Sequence, residues 1–471
     1  MTSQCKINYH TSSNIKIGVF TTEWHQYIPN ASLDLGLMLQ ITGISSIEEL
    51  FSDLPASAIG VELNDEPLDE AAVKSRVVGE LSKNRVYGRK CFIGGGPWFH
   101  IVPSVVKHLI SRGEFLTSYT PYQPEISQGM LQTLFEYQSL VCELYGMDVA
   151  NSSLYDLPTA IGEAILLSCR VTRRKKALVP ASLPRERISV ISNYLEPHGI
   201  DLVKVSYDGS GKLERSDLFG KIDETAASVY VENPSFFGTI DKDIEEVTEA
   251  AHRKGCLAIV GADPISLGMI KPPGEYGADI AVGEGQPLGS APGFGGNSLG
   301  IMACRLESSL IRQMPGRIVG MTMAFEGGER GFVLALSTRE QHIRREKATS
   351  NICTNEGLLA AAAAIYLSLL GKQGLRELAR GIFARTDYAL HALKKAGFAP
   401  RFSGIHFRDF AIATEDPRKI NSRLAGSGLS GGRDLRQDFG LSALLFAVTE
   451  VHTKEDIDGL ARAMGEGANG K

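Results

Sequence analysis

Five places in this 471-residue chain bring chemically capable side chains close together. The segment Tyr119-Thr120-Pro121-Tyr122-Gln123-Pro124-Glu125 presents two phenols, an amide and a carboxylate on a backbone stiffened by prolines. Such a run is either a rigid polar loop lent to a pocket or a helix lead-in, with Pro124 near the first turn and Glu125 complementing the dipole. Asp263 follows the apolar run Leu257–Gly261 in Gly261-Ala262-Asp263-Pro264. An acid at the carboxyl end of a buried strand is a common ligand contact in parallel sheets, and an Asp–Pro pair is equally a turn cap. Gly283-Glu284-Gly285-Gln286-Pro287-Leu288-Gly289 has G-x-G-x-x-x-G spacing, unlike the dinucleotide fingerprint, and no helix opens there. It reads as a tight turn that needs small residues. Two basic runs complete the set. Arg170, Arg173, Arg174, Lys175 and Lys176 close a helix, where cations complement the negative pole, and Arg339, His342, Arg344, Arg345 and Lys347 alternate with acids. Both read as solvated helix faces, with an anion or subunit contact as the alternative. No Walker loop, G-x-S-x-G elbow, HExxH or metal-spaced Cys/His set occurs, so no metal site is expected.

These residues need elements to position them. Residues 45–51 carry two overlapping capping boxes, Ser45 to Glu48 and Ser46 to Glu49, which predict a short helix. Residues 69–84 predict a charged helix, and the whole stretch 1–85 reads as a helical arm that wraps onto something else, after a weakly patterned 1–26. Helices are expected at 101–113 and 126–145, the latter with Ile126, Met130, Leu131, Leu134, Leu140, Val141 and Leu144 on one stripe and Gly146 as its stop. Strands are expected at Ala177–Pro180, Asp201–Ser206, Ala227–Glu232, Leu257–Gly261, Ile280–Val282 and Leu299–Ala303, with helices Pro184–Leu195 and Asp241–Lys254 between. Apolar strands alternating with helices indicate a mostly parallel sheet covered on both faces. From Glu356 an Ala/Leu-rich helix ending at Gly371, a second helix 374–396, strands Phe410–Ala413 and Ala443–Val448, the Gly-rich turn Gly426–Gly432 and a last helix 454–465 form a small α+β region. The domain expectation is therefore 1–85, 86–350 and 351–471.

Composition bounds the function. Lys+Arg 49 against Asp+Glu 54 gives −5, which argues against nucleic acid or an anionic membrane as partner. Apolar content of 43% and charged content of 22% are those of a globular protein. Glycine is in excess: 50 residues, where an average of about 7% predicts roughly 33. Seven scattered cysteines without CxxC read as reduced, buried thiols in a cytoplasmic protein. No run of about 18 apolar residues appears, and MTSQCKINYH lacks the pattern of a secretory signal.

Taken together, the runs Tyr27–Pro29, Gly43–Pro55, Tyr119–Leu131, Cys142–Asn151, Asp263–Gly289, Met314–Gly320 and Thr338–Asn355, with the weaker Val448–Asp458, resemble the P-protein family of the glycine cleavage system, in the α-subunit branch of its two-subunit form. The resemblance spans nearly everything after residue 26. It implies a fold-type I pyridoxal-phosphate architecture with a large α/β domain and a small C-terminal domain. It also implies a reaction: glycine is decarboxylated with pyridoxal phosphate as electron sink, and the aminomethyl group passes to the lipoyl arm of the H-protein.

The resemblance further implies where this chain departs from a catalytic subunit. Asp263 stands where an aspartate meets the pyridine nitrogen, yet no lysine occurs between Lys271 and Lys347. Gln286 stands near the lysine position, and an amide forms no imine. The family usually reads Tyr-Asp-Gly-Ala-Thr at its phosphate site; here it is Tyr155-Asp156-Leu157-Pro158-Thr159. Leu157 adds bulk and Pro158 removes an N–H. The expectation is that Asp263, Gln286, Tyr155 and Asp156 are vestigial. The cofactor then sits on a β subunit in an α2β2 assembly, which receives glycine and the H-protein. Tyr119, Thr120, Tyr122, Gln123, Glu125, Arg344, Arg345, Thr349, Ser350 and Asn351 are the candidates for completing that shared site. A catalytically inert scaffold of the same complex is the second reading. A pyridoxal enzyme acting alone is the third, and the missing lysine opposes it.

Overall fold

The computed structural model describes residues 32–55, 67–296, 298–323 and 327–465. The chain divides into two compact units at Val86/Tyr87. The first contains helices Ser32–Thr42 and Glu70–Leu81, the latter capped by Asp69, whose carboxylate accepts from the Ala72 N–H at 2.7 Å. None of its described residues is buried, and Leu37, Ile41, Leu50, Val78 and Leu81 are more than half exposed. The two capping boxes do not form. Ile47–Phe51 is a single 3-10 turn, Ser46 makes no side-chain cap, and the Ser45 hydroxyl and N–H both reach Glu49 instead. The expectation for residues 1–26 lies outside the described residues.

The second unit is built on a seven-stranded sheet. Its strands in chain order are β1 (Val149–Ala150), β2 (Lys176–Pro180), β3 (Asp201–Val205), β4 (Ala226–Glu232), β5 (Leu257–Gly261), β6 (Ile280–Glu284) and β7 (Gly300–Cys304). Their order across the sheet is β1-β7-β6-β5-β4-β2-β3. Strands β2 to β6 run parallel to one another. Strand β7, expected among the parallel set, instead runs antiparallel to β6, and β1 antiparallel to β7. Among the described residues between β6 and β7 there is no crossover helix, and a parallel return needs one.

Side-chain alternation along the strands makes two cores. Leu178, Val229, Val231, Val260 and Ala281 point to one face, beneath α1 (Gln128–Tyr145) and α5 (Gly357–Lys395). Ala177, Val179, Tyr230, Ile259, Ile280 and Val282 point to the other, beneath α2 (Leu157–Thr172) and α3 (Arg185–Leu195). The fourth helix, α4 (Glu245–Arg253), is shorter than the expected Asp241–Lys254. Helix α1 begins at Gln128, so Ile126 falls off the stripe and is 81% exposed. The expected helix 101–113 is two short ones, Ser104–Ile110 and Gly113–Leu116.

The two helices expected after Glu356 are present as the two arms of α5, which meet in a kink at Gly371, whose φ of 58° and ψ of −176° are non-helical. By length and composition alone α5 could cross a membrane. Ala360–Ala363 are fully buried, however, and pack into the core with Tyr366, so α5 is a core helix. Beyond it, Asp409–Ala413 and Arg433–Asp434 flank Ala443–Ala447 in an antiparallel sheet. Helices Pro417–Gly426 and Lys454–Gly465 cover it. Among the elements the sequence reading missed are the hairpin Ile318–Met323 with Arg330–Ala335, the strands Val149–Ala150 and Arg433–Asp434, and the helix Arg215–Lys221.

Candidate functional site

The carboxyl ends of β4, β5 and β6 place Glu232, Asp263 and Glu284 around the amino end of α2, where this class of sheet binds ligands. Each acid already has a partner. Arg187 pairs with Glu232 at 2.6 Å. Arg408 pairs with Asp263 at 2.6 Å and lies 3.4 Å from the centroid of the Trp98 ring. Glu284 accepts from the backbone N–H groups of Leu157 at 3.2 Å, Gln286 at 3.0 Å and Leu299 at 3.0 Å. Burial pushes the Glu284 carboxyl up to about 7, against those three bonds. Asp156 takes the Thr159 N–H at 2.8 Å and caps α2, and Tyr155 sits half-buried beside it.

A pyridoxal phosphate does not fit these residues. Two free amino-terminal N–H groups of α2 go to Glu284 and Asp156, and Pro158 has none, so a phosphate would meet two carboxylates. Gln286 is buried. Its amide nitrogen donates to the Ser290 carbonyl at 2.5 Å and, more weakly, to that of Trp98 at 3.4 Å. The remaining cavity is about 50 Å3, well below the ~300 Å3 at which ligand pockets begin. Gly283, read from the sequence as part of a tight turn, lies in β6 instead, and it must be small for a different reason: a Cβ there would overlap the Tyr145 hydroxyl. Sequence reasoning missed Arg408, Trp98 and the role of Glu284. Only Glu284 had a legible signal, as the acid inside the Gly-rich turn.

A second constellation lies elsewhere on this unit. Arg317 is 3% exposed and ties two of the sequence-predicted segments together. It donates to Glu340 at 2.5 Å, to the Tyr122 hydroxyl at 2.6 Å and to the Cys353 carbonyl at 2.5 Å, and stacks 4.6 Å from the Tyr122 ring centroid. His342 meets the same ring edge-on at 5.6 Å, and Thr120 contacts Thr354 at 3.3 Å. Tyr119 is 75% and Tyr122 49% exposed, and Gln123, Glu125 and Arg344 are exposed too. Two glutamines of α1 hang the hairpin nearby: Gln128 exchanges both bonds with Phe332, and Gln138 both with Val319. Met321, Met323 and Val333 of that hairpin stay 41–56% exposed.

The remaining candidates go to a different place. Arg345, Thr349, Ser350 and Asn351 line a cleft of about 760 Å3 with the carboxyl end of α2. The first basic run is not a plain solvated helix face. Arg170 bonds Gln313, Arg174 bonds the carbonyls of Ala226, Lys254 and Gly255, and Lys176 lies in β2 and pairs with Asp223. In the second run Arg339 is buried and donates to the carbonyls of Leu336 and Gly316. Of the thiols expected to be buried, Cys353 is exposed. Among the described residues no group of acids, His and Cys could hold a metal.

The layered α/β body with a switch-point acid and a cradle at the strand ends is the fold-type I pyridoxal-phosphate architecture. A sphingosine-1-phosphate lyase structure from Burkholderia pseudomallei has the same fold at 15% identity and a TM-score of 0.63, covering 88% of this chain and 94% of its own. The match narrows with sequence. The family model of the glycine cleavage system P-protein fits residues 25–464, and the chain belongs to that family. It is 47% identical over 464 residues to a probable glycine dehydrogenase (decarboxylating) subunit 1 from Staphylothermus marinus, covering 94% of this chain and 98% of the relative. A crystal structure of glycine decarboxylase (P-protein), in inhibitor-bound form, aligns at 40% identity and a TM-score of 0.81. It covers 94% of this chain and 100% of that one.

Proposed function

We propose that this chain is the α subunit of a cytoplasmic glycine decarboxylase and is inactive alone. A lysine-bearing β subunit carries the pyridoxal phosphate, and the pair, in an α2β2 assembly, decarboxylates glycine and passes the aminomethyl group to the lipoyl arm of the H-protein. The observation that carries this reading is the pair of segments 119–125 and 338–355, joined through buried Arg317 while their tyrosines stay exposed. A face stiffened on its inner side and unpartnered on its outer side suits a subunit that completes another chain's site. Tyr119, Tyr122, Gln123, Glu125 and Arg344 form the outer side, with Thr120 bracing it. The cofactor's poor fit in this chain's own cradle supports its placement on the partner.

The test is to purify the chain alone and with its β subunit and to measure glycine–CO2 exchange. Exchange only in the pair is expected, and exchange by the lone chain would overturn the reading. Tyr122→Phe with Gln123→Ala in the assembled pair separates completion from scaffolding. A drop in turnover with the complex intact is expected, whereas unchanged turnover would leave the chain a scaffold.

A further inference from the structure

The cleft at the carboxyl end of α2 is lined in part by the same 338–355 segment, and its reading needs no partner chain. Arg170, Arg173, Arg174, Lys175 and Arg345 line it against only two acids, Glu163 and Glu346, in a chain whose net charge is −5. None of the five cations forms an ion pair among the described residues. Arg170, Arg174 and Lys175 spend their donors on neutral groups: the Gln313 amide and carbonyls. Arg173 and Arg345 are exposed and have no partner for their guanidinium groups among the described residues. Uncompensated positive charge around a concavity is a recognition feature, because desolvated or clustered cations repel unless an anion joins them.

Glu163 is the second observation. It is 1% exposed and lines the cleft. One of its oxygens bonds the Ser350 hydroxyl, and the other is buried with no partner. Burial pushes the carboxyl up to about 7, so at neutral pH a large fraction of it is a neutral acid with an O–H to give. A neutral donor among cations suits an anionic oxygen, where a carboxylate would repel it. Leu166, Tyr194, Pro197 and Ile200 form an apolar wall to the same space. Its volume, about 760 Å3, is in the range of small-molecule pockets and far larger than inorganic phosphate needs.

We infer that this cleft binds a phosphomonoester carried on a flat, mostly apolar body. Arg173 and Arg345 clamp the phosphate, buried Glu163 backs the cleft wall beside Ser350, and the body lies on the Tyr194 wall. The experiment is calorimetry of the assembled complex and of the lone chain in phosphate-free buffer, with AMP, adenosine and inorganic phosphate as probes. Saturable AMP binding in both preparations is expected, with adenosine silent and phosphate at least tenfold weaker than AMP. The double charge reversal R173E/R345E should weaken AMP at least tenfold. If that variant fails to assemble, R173Q on an exposed side chain makes the same test, with at least threefold weakening expected. No heat with AMP, phosphate as tight as AMP, or unchanged affinity in the variants would each overturn the inference. AMP binding to the lone chain but not to the complex would assign the cleft to the partner subunit and overturn it as well.

Discussion

Replacing Glu163 by Gln tests the electrostatics of this body directly. In the native protein burial raises the carboxyl from its ordinary 4.5 to about 7, with the Ser350 hydroxyl and Arg170 partly opposing. The folded state therefore holds a proton that the unfolded chain has already released. Stability from this group is fully present below about pH 4.5, falls as pH rises, and levels off above about pH 7. The span corresponds to about 3 kcal/mol at 1.36 kcal/mol per pH unit. The amide of the E163Q variant has no proton to lose and keeps an oxygen for Ser350, so the variant lacks this decline. Unfolding entropy for a unit the size of Tyr87–Lys471 is about 0.8 kcal/mol per degree, so the variant's Tm should gain about 3 °C on the native Tm between pH 5 and pH 8. Thermal unfolding followed by circular dichroism at half-unit pH steps, in phosphate-free buffer, reads this difference. Parallel Tm curves, or a gap that narrows with rising pH, would refute the buried-acid reasoning.

Three further outcomes follow from the geometry. Gln286→Lys should still give no visible imine band with added pyridoxal phosphate, because Glu284, Asp156 and Arg408 hold the space; a stable band would show the cradle open. Arg317→Met strands Glu340 and frees Tyr122, at a cost of about 3–5 kcal/mol. A Tm drop of about 4–6 °C and new proteolytic cuts within 338–355 are expected, and unchanged Tm and cleavage would sink the argument. Gly238→Ala would drive its Cβ into the Asp409 carbonyl at a backbone φ of +80°, so no soluble folded protein is expected on expression.

What the sequence made legible follows the range of the interactions. Local patterns placed β2 to β6 within a residue or two, since apolar runs bounded by turns carry their own signal. The direction of β7 was lost because it depends on what lies between strands, not on Leu299–Ala303 itself. The hairpin was findable: Gly327-Gly328 with positive φ sits between two runs. In the site, motif position named 119–125 and 338–355 as separate candidates, and nothing in it showed that Arg317 joins Tyr122 to Glu340 and Cys353. Arg317 lies about 195 residues from Tyr122 in sequence, so no spacing announces their bond. Arg408 closing on Asp263 is hidden for the same reason. Glu163, inside an apolar helix, drew no notice in the sequence at all.

The first unit has a consequence for the economy of the cell. Its helices Ser32–Thr42 and Glu70–Leu81 offer leucines, valines and isoleucines that bury nothing within the described residues. If the β subunit proposed above covers this arm, a copy made without it displays the kind of surface that chaperones hold and proteases cut. Surplus subunits would then be cleared, and the ratio of the two chains would correct itself after translation. Pulse-labelled chain should decay faster in cells lacking the β subunit, and equal half-lives would contradict this. The arm would thus act as a tally, counting each copy as either accompanied or expendable.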